Sequence, residues 1–417
     1  MARGRRVRIS MISVTIDSPR LDIAPQWDEL VRRASSNVFM NPAALAVAVA
    51  TDFARIRVLL AWEQGASQRR LVGIWALQVR QAVRLWPKVS EALPYTYAFL
   101  SSPVVDPAFA DQVIPAFLAA IEQDPLLPDV LSLTSFDGEC PSYAAMSKWL
   151  AARGIEPLIV ATSSRPFVTK EFGVKRSGST RKKLRQDWNR LSALGAVDVV
   201  NDRSPGAVRQ AFETFLTMEK ASWKGERGTA VLSDARDAAF TRQLVHNLAD
   251  RQACSVALLQ VNGEVAAAQV LMYCGSTAYT WKTAYNAQFA RYSPGHLLVD
   301  KVTDQLFAQP EIEAINSCAA EDSFMAQLWA GRRTMLDLLF DVSGTKSLGY
   351  RMEAGRLLGY HFLRRLRDRL RQRRRTSSAK APQGTASKPE KEAGAALRAP
   401  AKAGVRRHQA EVEGVGH

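Results

Sequence analysis

The chain has 417 residues, of which 47% are hydrophobic and 23% are charged, and its formal net charge is +16. This length fits two or three domains of roughly 100–200 residues each, which is enough to bury a large core. No run approaches the roughly 18 apolar residues of a membrane-spanning helix, so the composition favours a soluble globular protein.

The positive charge is concentrated in three segments. Residues 1–8 carry a net charge of +4, residues 165–190 carry +7 and residues 364–417 carry +10, whereas the other 329 residues together carry −5. A basic character confined to two ends and one internal stretch argues against a broad DNA-binding face. It predicts a local role for each basic segment instead.

The N-terminus and the cysteines favour a reducing compartment. The first eight residues are basic but precede no apolar run, so we expect no signal peptide, and Met11 is an alternative start. The four cysteines have no paired spacing and the five histidines form no HExxH motif, so neither a disulfide framework nor a metal site is expected. We therefore expect a cytoplasmic protein, with peripheral contact to the inner face of the membrane as an open alternative.

The first half reads as alternating strands and helices. Hydrophobic patterns predict strands at 55–63 and 71–79, followed by a helix, a strand, a helix and a strand at 106–123, 130–135, 143–152 and 156–162.

The second half has the same order with clearer boundaries. The predicted ranges are 204–223 and 235–250 for helices, 254–261, 264–274 and 277–285 for strands, and then 294–308, 313–318, 323–331 and 334–342 for alternating helices and strands. Asn262-Gly263 favours a type I′ hairpin turn, because that turn needs positive φ at both central positions.

Matching elements of the two halves lie roughly 180–200 residues apart. This spacing indicates a duplicated domain of the mixed α/β class, in which strands of both orientations share one sheet. Unduplicated α/β folds also alternate strands and helices, so the pattern alone leaves both interpretations open.

Residues 177–195 form a predicted basic amphipathic helix between the halves. Leu184, Trp188, Leu191 and Leu194 recur at helical spacing, and the remaining positions are basic at Arg181, Lys182, Lys183, Arg185 and Arg190. The helix is either a solvated linker or an electrostatic rim for a polyanionic ligand.

The C-terminal region continues the basic pattern. Residues 356–375 have a helical stripe of Leu357, Leu358, Phe362, Leu366 and Leu370, and the remainder lacks large apolar residues and is predicted to be disordered. The region is a candidate for binding an anionic membrane surface, RNA or an acidic partner, or serves only solubility.

The strongest chemical signal lies in residues 281–298, which join a strand to a helix. Ser293 is a candidate N-cap, Pro294 suits the first helical position, and Gly295 allows close approach of a ligand. The N–H groups of Gly295, His296 and Leu297 are predicted to point outward at the positive end of the helix dipole. This pattern predicts a phosphate site, although Ser-Pro-Gly also begins purely structural helices.

Several blocks of the sequence resemble the cellulose-biosynthesis-associated (CelD/BcsL-type) acetyltransferases of the GNAT type. The blocks are FLTMEKASWKGERGTA (215–230), VNGEVAAAQVLMYCGSTAYTWKTAYN (261–286), FARYSPGHLL (289–298) and SGSTRKKLRQDWNRL (177–191), with weaker likeness in WDELVRRASSNVFMNPAAL (27–45) and LSSPVVDP (100–107). The resemblance covers roughly residues 20–345. It implies two tandem GNAT-like domains in a FemAB-like arrangement, with acetyl-CoA or another acyl-CoA as donor.

By this resemblance, a group of residues before and at the start of the 294–308 helix holds the pyrophosphate of the donor. They are Arg291, Tyr292, Ser293, Pro294, Gly295 and His296. The usual GNAT pattern has glycine or alanine where this chain has Pro294 and His296, and proline removes one N–H donor. Backbone N–H groups around Thr280, Trp281 and Lys282 are expected to serve the thioester.

Acyl transfer also needs proton carriers. Glu219, Lys282 and Tyr285 are the catalytic candidates, with Tyr292 as a further proton carrier. Glu219 acts as a base only with a raised pKa or a bridging water, and Lys282 is alternatively a contact for an acceptor anion. Each also has a structural interpretation, as a salt-bridged glutamate, a solvent-facing lysine and a core aromatic side chain respectively.

The resemblance and the charge pattern together suggest a division of the chain. It comprises a basic extension (1–10), a degenerate N-terminal GNAT-like domain (11–165), a basic connecting helix (166–196), a catalytic GNAT-like domain (197–348), a basic amphipathic helix (349–375) and a disordered tail (376–417). The first domain is considered degenerate because Asp106 is the predicted cap where a pyrophosphate would bind.

Three functions are consistent with the sequence. The leading one is transfer of an acetyl or other acyl group from acyl-CoA to an amine or hydroxyl of a small molecule or saccharide. The second is a FemAB-like transferase that uses aminoacyl-tRNA, in which the basic helix steers RNA. The third is a non-catalytic scaffold or regulator that docks through its basic tail.

Overall fold

The computed structural model describes residues 12–19, 22–65, 69–82 and 84–378. The strands are β1 (Ile12–Asp17), β2 (Ile56–Gln64), β3 (Arg69–Gln81), β4 (Lys88–Glu91), β5 (Val104–Val105), β6 (Val130–Asp137), β7 (Leu158–Thr169), β8 (Val197–Val200), β9 (Cys254–Val261), β10 (Glu264–Cys274), β11 (Thr277–Tyr285), β12 (Ala314–Asn316) and β13 (Arg332–Asp341). The helices are α1 (Ala24–Leu30), α2 (Pro42–Ala50), α3 (Ala110–Gln123), α4 (Pro141–Ala152), α5 (Ser179–Ser192), α6 (Pro205–Ala221), α7 (Trp223–Glu226), α8 (Ala235–Ala249), α9 (Pro294–Phe307), α10 (Met325–Leu328) and α11 (Leu348–Ser378).

All the described strands belong to one mixed sheet. Twelve of them follow the order β1-β2-β3-β4-β6-β13-β7-β12-β11-β10-β9-β8, and β5 pairs with β3 beside this path. The order is symmetric about its centre, because β1, β2, β3, β4 and β6 of the first half match β8, β9, β10, β11 and β12 of the second. The fold is therefore mixed α/β with two similar halves, as the strand and helix pattern predicted.

The two halves exchange their last strands. β13 comes from the end of the second half, yet it pairs antiparallel with β6 over Val130–Asp137. β7 comes from the end of the first half, and its residues 167–169 pair with β12. β7 and β13 also pair with each other, which makes the sheet continuous across the molecule. The proposed domain division by residue number stays a prediction.

Helices cover both faces of the second-half sheet. α6 and α8 pack on one face, where their apolar residues join the main core together with the first half. α9, α5 and α10 cover the other face around a second core that includes Leu184, Leu191 and Trp329. The sheet therefore separates a face that meets the first half from a face that meets the basic helix.

An aromatic cluster joins the halves on the first of these faces. The ring of Phe53 stacks on Phe240 with centroids 4.0 Å apart, and Tyr97 contacts Trp281 edge to face at 6.0 Å. The Tyr97 hydroxyl donates to Asp237 Oδ2 over 2.9 Å. These contacts bring a tyrosine of the first half next to β11 of the second half.

Many predicted boundaries agree with the structure. β9 coincides with the predicted range, and Asn262 and Gly263 have φ of 50° and 83°, as a type I′ turn requires. The predicted 323–331 helix is shorter, since α10 covers only Met325–Leu328. α11 continues to Ser378, beyond the predicted end at 375. None of the described helices is long and apolar enough to cross a membrane.

Residues 1–10 and 379–417 lie outside the described residues, so the basic extension and most of the predicted tail stay predictions. The four cysteines are buried and unbridged. Burial raises the pKa of the Cys318 thiol to about 12, although Arg165 lowers it, so this thiol is protonated at neutral pH.

Candidate active site

The site is built around an opening between two strands. β11 pairs with β10 along its whole length, but it pairs with the parallel strand β12 only over Thr277–Tyr279. From Thr280 onward, the described strands leave the other edge of β11 without a ladder partner. We call this opening, between residues 280–285 and the end of β12 at Asn316, the fork. Backbone groups on this edge that lack a ladder partner are candidates for binding a ligand.

Thr280 closes the base of the fork. Its hydroxyl is buried and donates to the carbonyl oxygen of Ser317 over 2.8 Å. The structure therefore gives the Thr280 side chain a role in holding the two diverging strands together. Its backbone role toward a thioester stays a prediction.

A β-bulge at Trp281 sets the directions of the next two side chains. In the pairing with β10, Thr280 lies opposite Leu271 and Lys282 lies opposite Val270, so Trp281 is the extra residue. A bulge interrupts the strict alternation of side chains along a strand. Trp281 and Lys282 consequently both face the first half and α6.

Trp281 is a packing residue within this arrangement. It is buried, and its indole Nε1 donates to the carbonyl oxygen of Tyr97 over 3.1 Å. The predicted contact of this residue with a donor is therefore limited to its backbone. The side chain fixes the first half against β11.

Lys282 belongs to a cluster of three charged side chains, which we call the lysine–glutamate cluster. Its Nζ lies 3.8 Å from Glu219 Oε1, and Lys224 Nζ lies 2.9 Å from the same oxygen. Glu219 Oε2 accepts the backbone N–H of Val231 over 2.9 Å. Glu219 is only 1% exposed, so the carboxylate is buried and held from both sides.

The turn between α6 and α7 places Lys224 in the cluster. α6 ends at Ala221, and Ser222 caps α7 by accepting the N–H of Lys224. A Cβ atom at Gly225 would lie 1.7 Å from the carbonyl oxygen of Lys220, so only glycine fits there. The tight turn explains the glycine that follows Lys224.

The pKa shifts assign different charge states to these groups. Burial raises the pKa of Glu219, but the charges of Lys282 and Lys224 and the Val231 N–H outweigh it, so the pKa is below its ordinary value. Glu219 is thus ionised and lacks the raised pKa that we required of a general base. Burial lowers the pKa of Lys282 despite the opposing charge of Glu219, which increases its neutral fraction.

Two aromatic rings complete the surroundings of Lys282. Its Nζ lies 5.0 Å from the centre of the Tyr97 ring and 5.6 Å from that of Trp281. The side chain is 15% exposed, so it is enclosed but not sealed. The alternative interpretation of Lys282 as a solvent-facing lysine is therefore wrong.

Tyr285 lies apart from the lysine–glutamate cluster. It borders a cavity of about 700 Å³ between α6 and the ends of β10 and β11, and it also packs against the core on the α9 face. Thr217, Met218 and Val265 contribute to the same cavity. The structure thus places this catalytic candidate at an apolar hollow, three residues along the strand from Lys282.

The start of α9 differs from the predicted phosphate site in two respects. Ser293 has a left-handed backbone (φ 50°, ψ 50°) and its side chain does not cap the helix. The N–H groups of His296 and Leu297 both donate to the carbonyl oxygen of Ser293, over 2.9 and 3.2 Å. The expectation of three outward N–H groups is therefore wrong, and Gly295 retains the only one that the described backbone leaves without an acceptor.

A lysine of the basic helix lies at this helix terminus. Lys183 Nζ donates to Ser293 Oγ over 3.1 Å and pairs with Asp187. The side chain of Lys183 is largely exposed. α5 therefore adds a positive charge next to the positive end of the α9 dipole, which favours an anion there. This contact favours the electrostatic-rim interpretation of α5 over a solvated linker.

Other basic side chains near α9 contact neighbouring carboxylates or aromatic rings of the protein. Arg181 pairs with Asp300, and Arg190 lies over the ring of Tyr292 at 5.4 Å. Arg291 is exposed, and its guanidinium carbon lies 4.7 Å from the Tyr292 ring centre. Tyr292 itself is buried, so it supports these guanidinium groups rather than lining an open surface.

His296 is held as a neutral ring. It stacks on Phe324 with centroids 4.7 Å apart. Burial and the nearby charge of Lys183 lower its pKa from 6.5 to about 4. We therefore expect the neutral imidazole to stabilise the fold above pH 6.5, and this stability to be lost as the pH falls toward 4.

His296→Phe is expected to keep the stacking and to remove this acid sensitivity. Between pH 7 and pH 4, the wild type should lose about 3 kcal/mol more unfolding free energy than the variant. Urea titrations at the two pH values measure the difference. Equal losses of unfolding free energy in the two proteins would show that protonation of His296 does not destabilise the fold.

The corresponding helix start in the first half is closed to anions. Asp106 accepts the N–H of Ala108 over 3.1 Å, as predicted for a cap, and it pairs with Arg33 Nε over 2.7 Å. The carboxylate is buried. This helix start therefore carries a carboxylate where the second half has Ser293 with Lys183 beside it, so the negative charge of a phosphate is disfavoured there.

The sequence did not single out Lys224, Lys183 or Tyr97 as individual site residues. Lys224 lies in the predicted Trp-Lys-Gly block and Lys183 in the predicted basic helix, so both had a signal in the pattern. Tyr97 had none, because its approach to Lys282 depends on packing between the two halves.

The matched part of the chain contains this site. Residues 178–324 match the family of acetyltransferase (GNAT) domains, and this segment includes α5, the lysine–glutamate cluster, the fork and the start of α9. This match supports an acyltransferase.

Solved structures are similar to most of the chain, and one of them, FemX, supports the same fold. FemX matches with a TM-score of 0.53 and 11% identity, over 76% of this chain and 95% of FemX. The C-terminal domain (DUF2156) of a putative lysylphosphatidylglycerol synthetase from Agrobacterium fabrum matches with a TM-score of 0.47 and 14% identity, over 77% and 92% of the two chains. L-PGS from Bacillus licheniformis has the same TM-score and identity, over 82% and 98%. No curated protein sequence matches the chain.

Proposed function

We propose that the protein transfers an acyl group from acyl-CoA to an amine or hydroxyl acceptor. The observation that carries this proposal is the fork, which opens beside the lysine–glutamate cluster on one side and beside the start of α9 on the other. A thioester within the fork would lie between Lys282, which would remove a proton from the acceptor, and the N-terminus of α9, which favours an anion.

The donor would be held by backbone and charge together. The N–H of Gly295, the Lys183 ammonium group and the α9 dipole favour a phosphate, and the open edge of β11 offers N–H groups to the acyl end. A Cβ atom at Gly295 would lie 3.8 Å from the nearest side-chain atom, Thr283 Cγ2, so the glycine is not required by protein packing. This supports a site that leaves room for a ligand.

Lys282 is the best candidate for the general base. In its neutral form, Nζ accepts the proton of the acceptor amine or hydroxyl while the acceptor nitrogen or oxygen attacks the thioester carbon. The carbon–sulfur bond then breaks, and the leaving thiolate takes up a proton, with Tyr285 as the candidate acid. Glu219 holds Lys282 and Lys224 in position and does not itself take the proton.

The cavity beside Tyr285 and the sequence resemblance support a proposal for the acceptor. The cavity adjoins α6 and accepts a molecule with an apolar portion. The resemblance to cellulose-biosynthesis-associated acetyltransferases supports a saccharide or polysaccharide-related acceptor. Aminoacyl-tRNA is the alternative donor, supported by the basic side chains on α5 and by the fold shared with FemX.

Thermal-shift measurements with acetyl-CoA, longer acyl-CoA and aminoacyl-tRNA test the donor. A ligand at about 100 times its Kd stabilises the native state by about 2.7 kcal/mol. Lys183→Met is expected to weaken acetyl-CoA binding about tenfold because it removes a charge-assisted contact. Gly295→Ala is expected to weaken it by placing a methyl group at the phosphate.

The matched controls are Lys182→Met and Asp106→Asn. Lys182 is exposed on the same helix turn as Lys183, and Asp106 lies at the equivalent helix start in the first half. Both controls should bind acetyl-CoA as the wild type does. Equal effects of the Gly295 and Asp106 variants on acetyl-CoA binding would show that the start of α9 is not the phosphate site. Stabilisation by aminoacyl-tRNA alone would show that aminoacyl-tRNA, and not acyl-CoA, is the donor.

A further inference from the structure

α11 is anchored to the body of the protein at its first turns. Glu353 is fully buried and accepts from Arg80 Nη2 over 2.6 Å and from Arg356 Nη2 over 2.5 Å. Arg80 also pairs with Glu91 on β4. The side chains of Tyr350 and Leu357 pack on a small core next to β7 and β13. The start of the helix is thus fixed in place.

Beyond this anchor, α11 exposes large apolar side chains. Leu358 is 48% exposed, Phe362 is 66% exposed and Leu363 is 64% exposed. Leu366 and Leu370 continue the four-residue spacing in the sequence. Within the part of the chain that the structure describes, no protein layer covers Leu358, Phe362 and Leu363, so α11 has an uncovered apolar face there.

The same part of the helix is strongly basic. Residues 364–375 contain eight arginines and a single acidic residue, Asp368. Apolar residues at helical spacing combined with many arginines are typical of a helix that lies in the interface of an anionic bilayer.

We propose that residues 358–375 dock the protein on an anionic lipid surface. The apolar stripe enters the acyl boundary and the arginines contact lipid phosphates. Nucleic acid would use the arginines but would leave Leu358, Phe362 and Leu363 exposed to water. A second copy of the helix would bring two arginine-rich segments together, which is unfavourable. The lipid surface alone complements both the charge and the apolar face.

Vesicle sedimentation with the full chain tests this docking. The wild type should bind vesicles of phosphatidylglycerol and phosphatidylcholine, bind phosphatidylcholine alone at least tenfold more weakly, and lose affinity as salt rises. Phe362→Ser combined with Leu363→Ser should weaken binding to the anionic vesicles at least tenfold. The melting temperature should not change, because neither side chain is buried.

A matched double variant is available elsewhere on the surface. Phe172 is 72% exposed and Leu126 is 62% exposed, so Phe172→Ser with Leu126→Ser removes the same kinds of side chain away from α11. This control should bind anionic vesicles as the wild type does. Unchanged vesicle binding in the α11 variant, or binding to RNA but not to vesicles, would overturn the proposal. Neither result depends on the acyl donor.

Discussion

Lys282→Met is expected to lower kcat for acyl transfer by about 10²–10⁴-fold, the range that general-base catalysis contributes. Methionine keeps most of the side-chain volume but cannot accept a proton. Donor binding should persist, because the anion site at α9 lies apart from the lysine–glutamate cluster. Steady-state kinetics and the acetyl-CoA thermal shift together separate the two effects.

The pH dependence sharpens this prediction. Only neutral Lys282 accepts a proton, and burial lowers its pKa, so the wild-type rate should rise with pH and level off below pH 10.5. Lys282→Arg stays charged over this range and should lose that rise. The surface control is Lys220→Met, one residue after Glu219 on α6 and exposed. A wild-type rate in Lys282→Met would exclude this lysine as the base.

Glu219→Gln is expected to lower the unfolding free energy by about 3–5 kcal/mol, because removal of one partner leaves buried charges without compensation. Lys224 and Lys282 would both lose the carboxylate that holds them. The control Glu213→Gln lies on the same helix but pairs with Arg242 at the surface, so a change of less than about 1 kcal/mol is expected. Urea unfolding at pH 7 measures both.

The effect of Glu219 should also depend on pH in a defined direction. Its folded-state pKa is below the ordinary value of 4.5, so its stabilisation is present above that pH and is lost as the pH falls through the folded-state value. The difference in unfolding free energy between the wild type and Glu219→Gln should therefore become smaller at acid pH. A loss below about 1 kcal/mol at pH 7 would show that the cluster is not coupled as the geometry indicates.

Local signals in the sequence were sufficient to predict many of the helix and strand boundaries in the second half. Asn262-Gly263 fixed the hairpin because few residues other than glycine and asparagine adopt positive φ. Pro294 marked the first residue of α9, and Asp106 was recognised as a cap. These features depend on the conformational preferences of one or two neighbouring residues. Such preferences can be recognised from the sequence alone.

The chemistry of the site depends on contacts that no local pattern contains. The bulge that turns Trp281 and Lys282 to the same side arises from pairing with β10. The direction of the Glu219 pKa shift depends on two lysines that meet it from other elements. Ser293 was expected to cap α9, yet its backbone is left-handed and its hydroxyl accepts from Lys183, a residue of the separate helix α5.

The exchange of β7 and β13 has a consequence for how the chain reaches its native state during synthesis. β6 is complete at Asp137, but its neighbour β13 begins only at Arg332, so the first half cannot close its sheet until almost the whole described chain has left the ribosome. Pairing across such a sequence distance is slow, and an incomplete sheet leaves a strand edge open to other chains. The two halves should therefore be made and handled as one unit, and expression of either half alone should give an aggregating product.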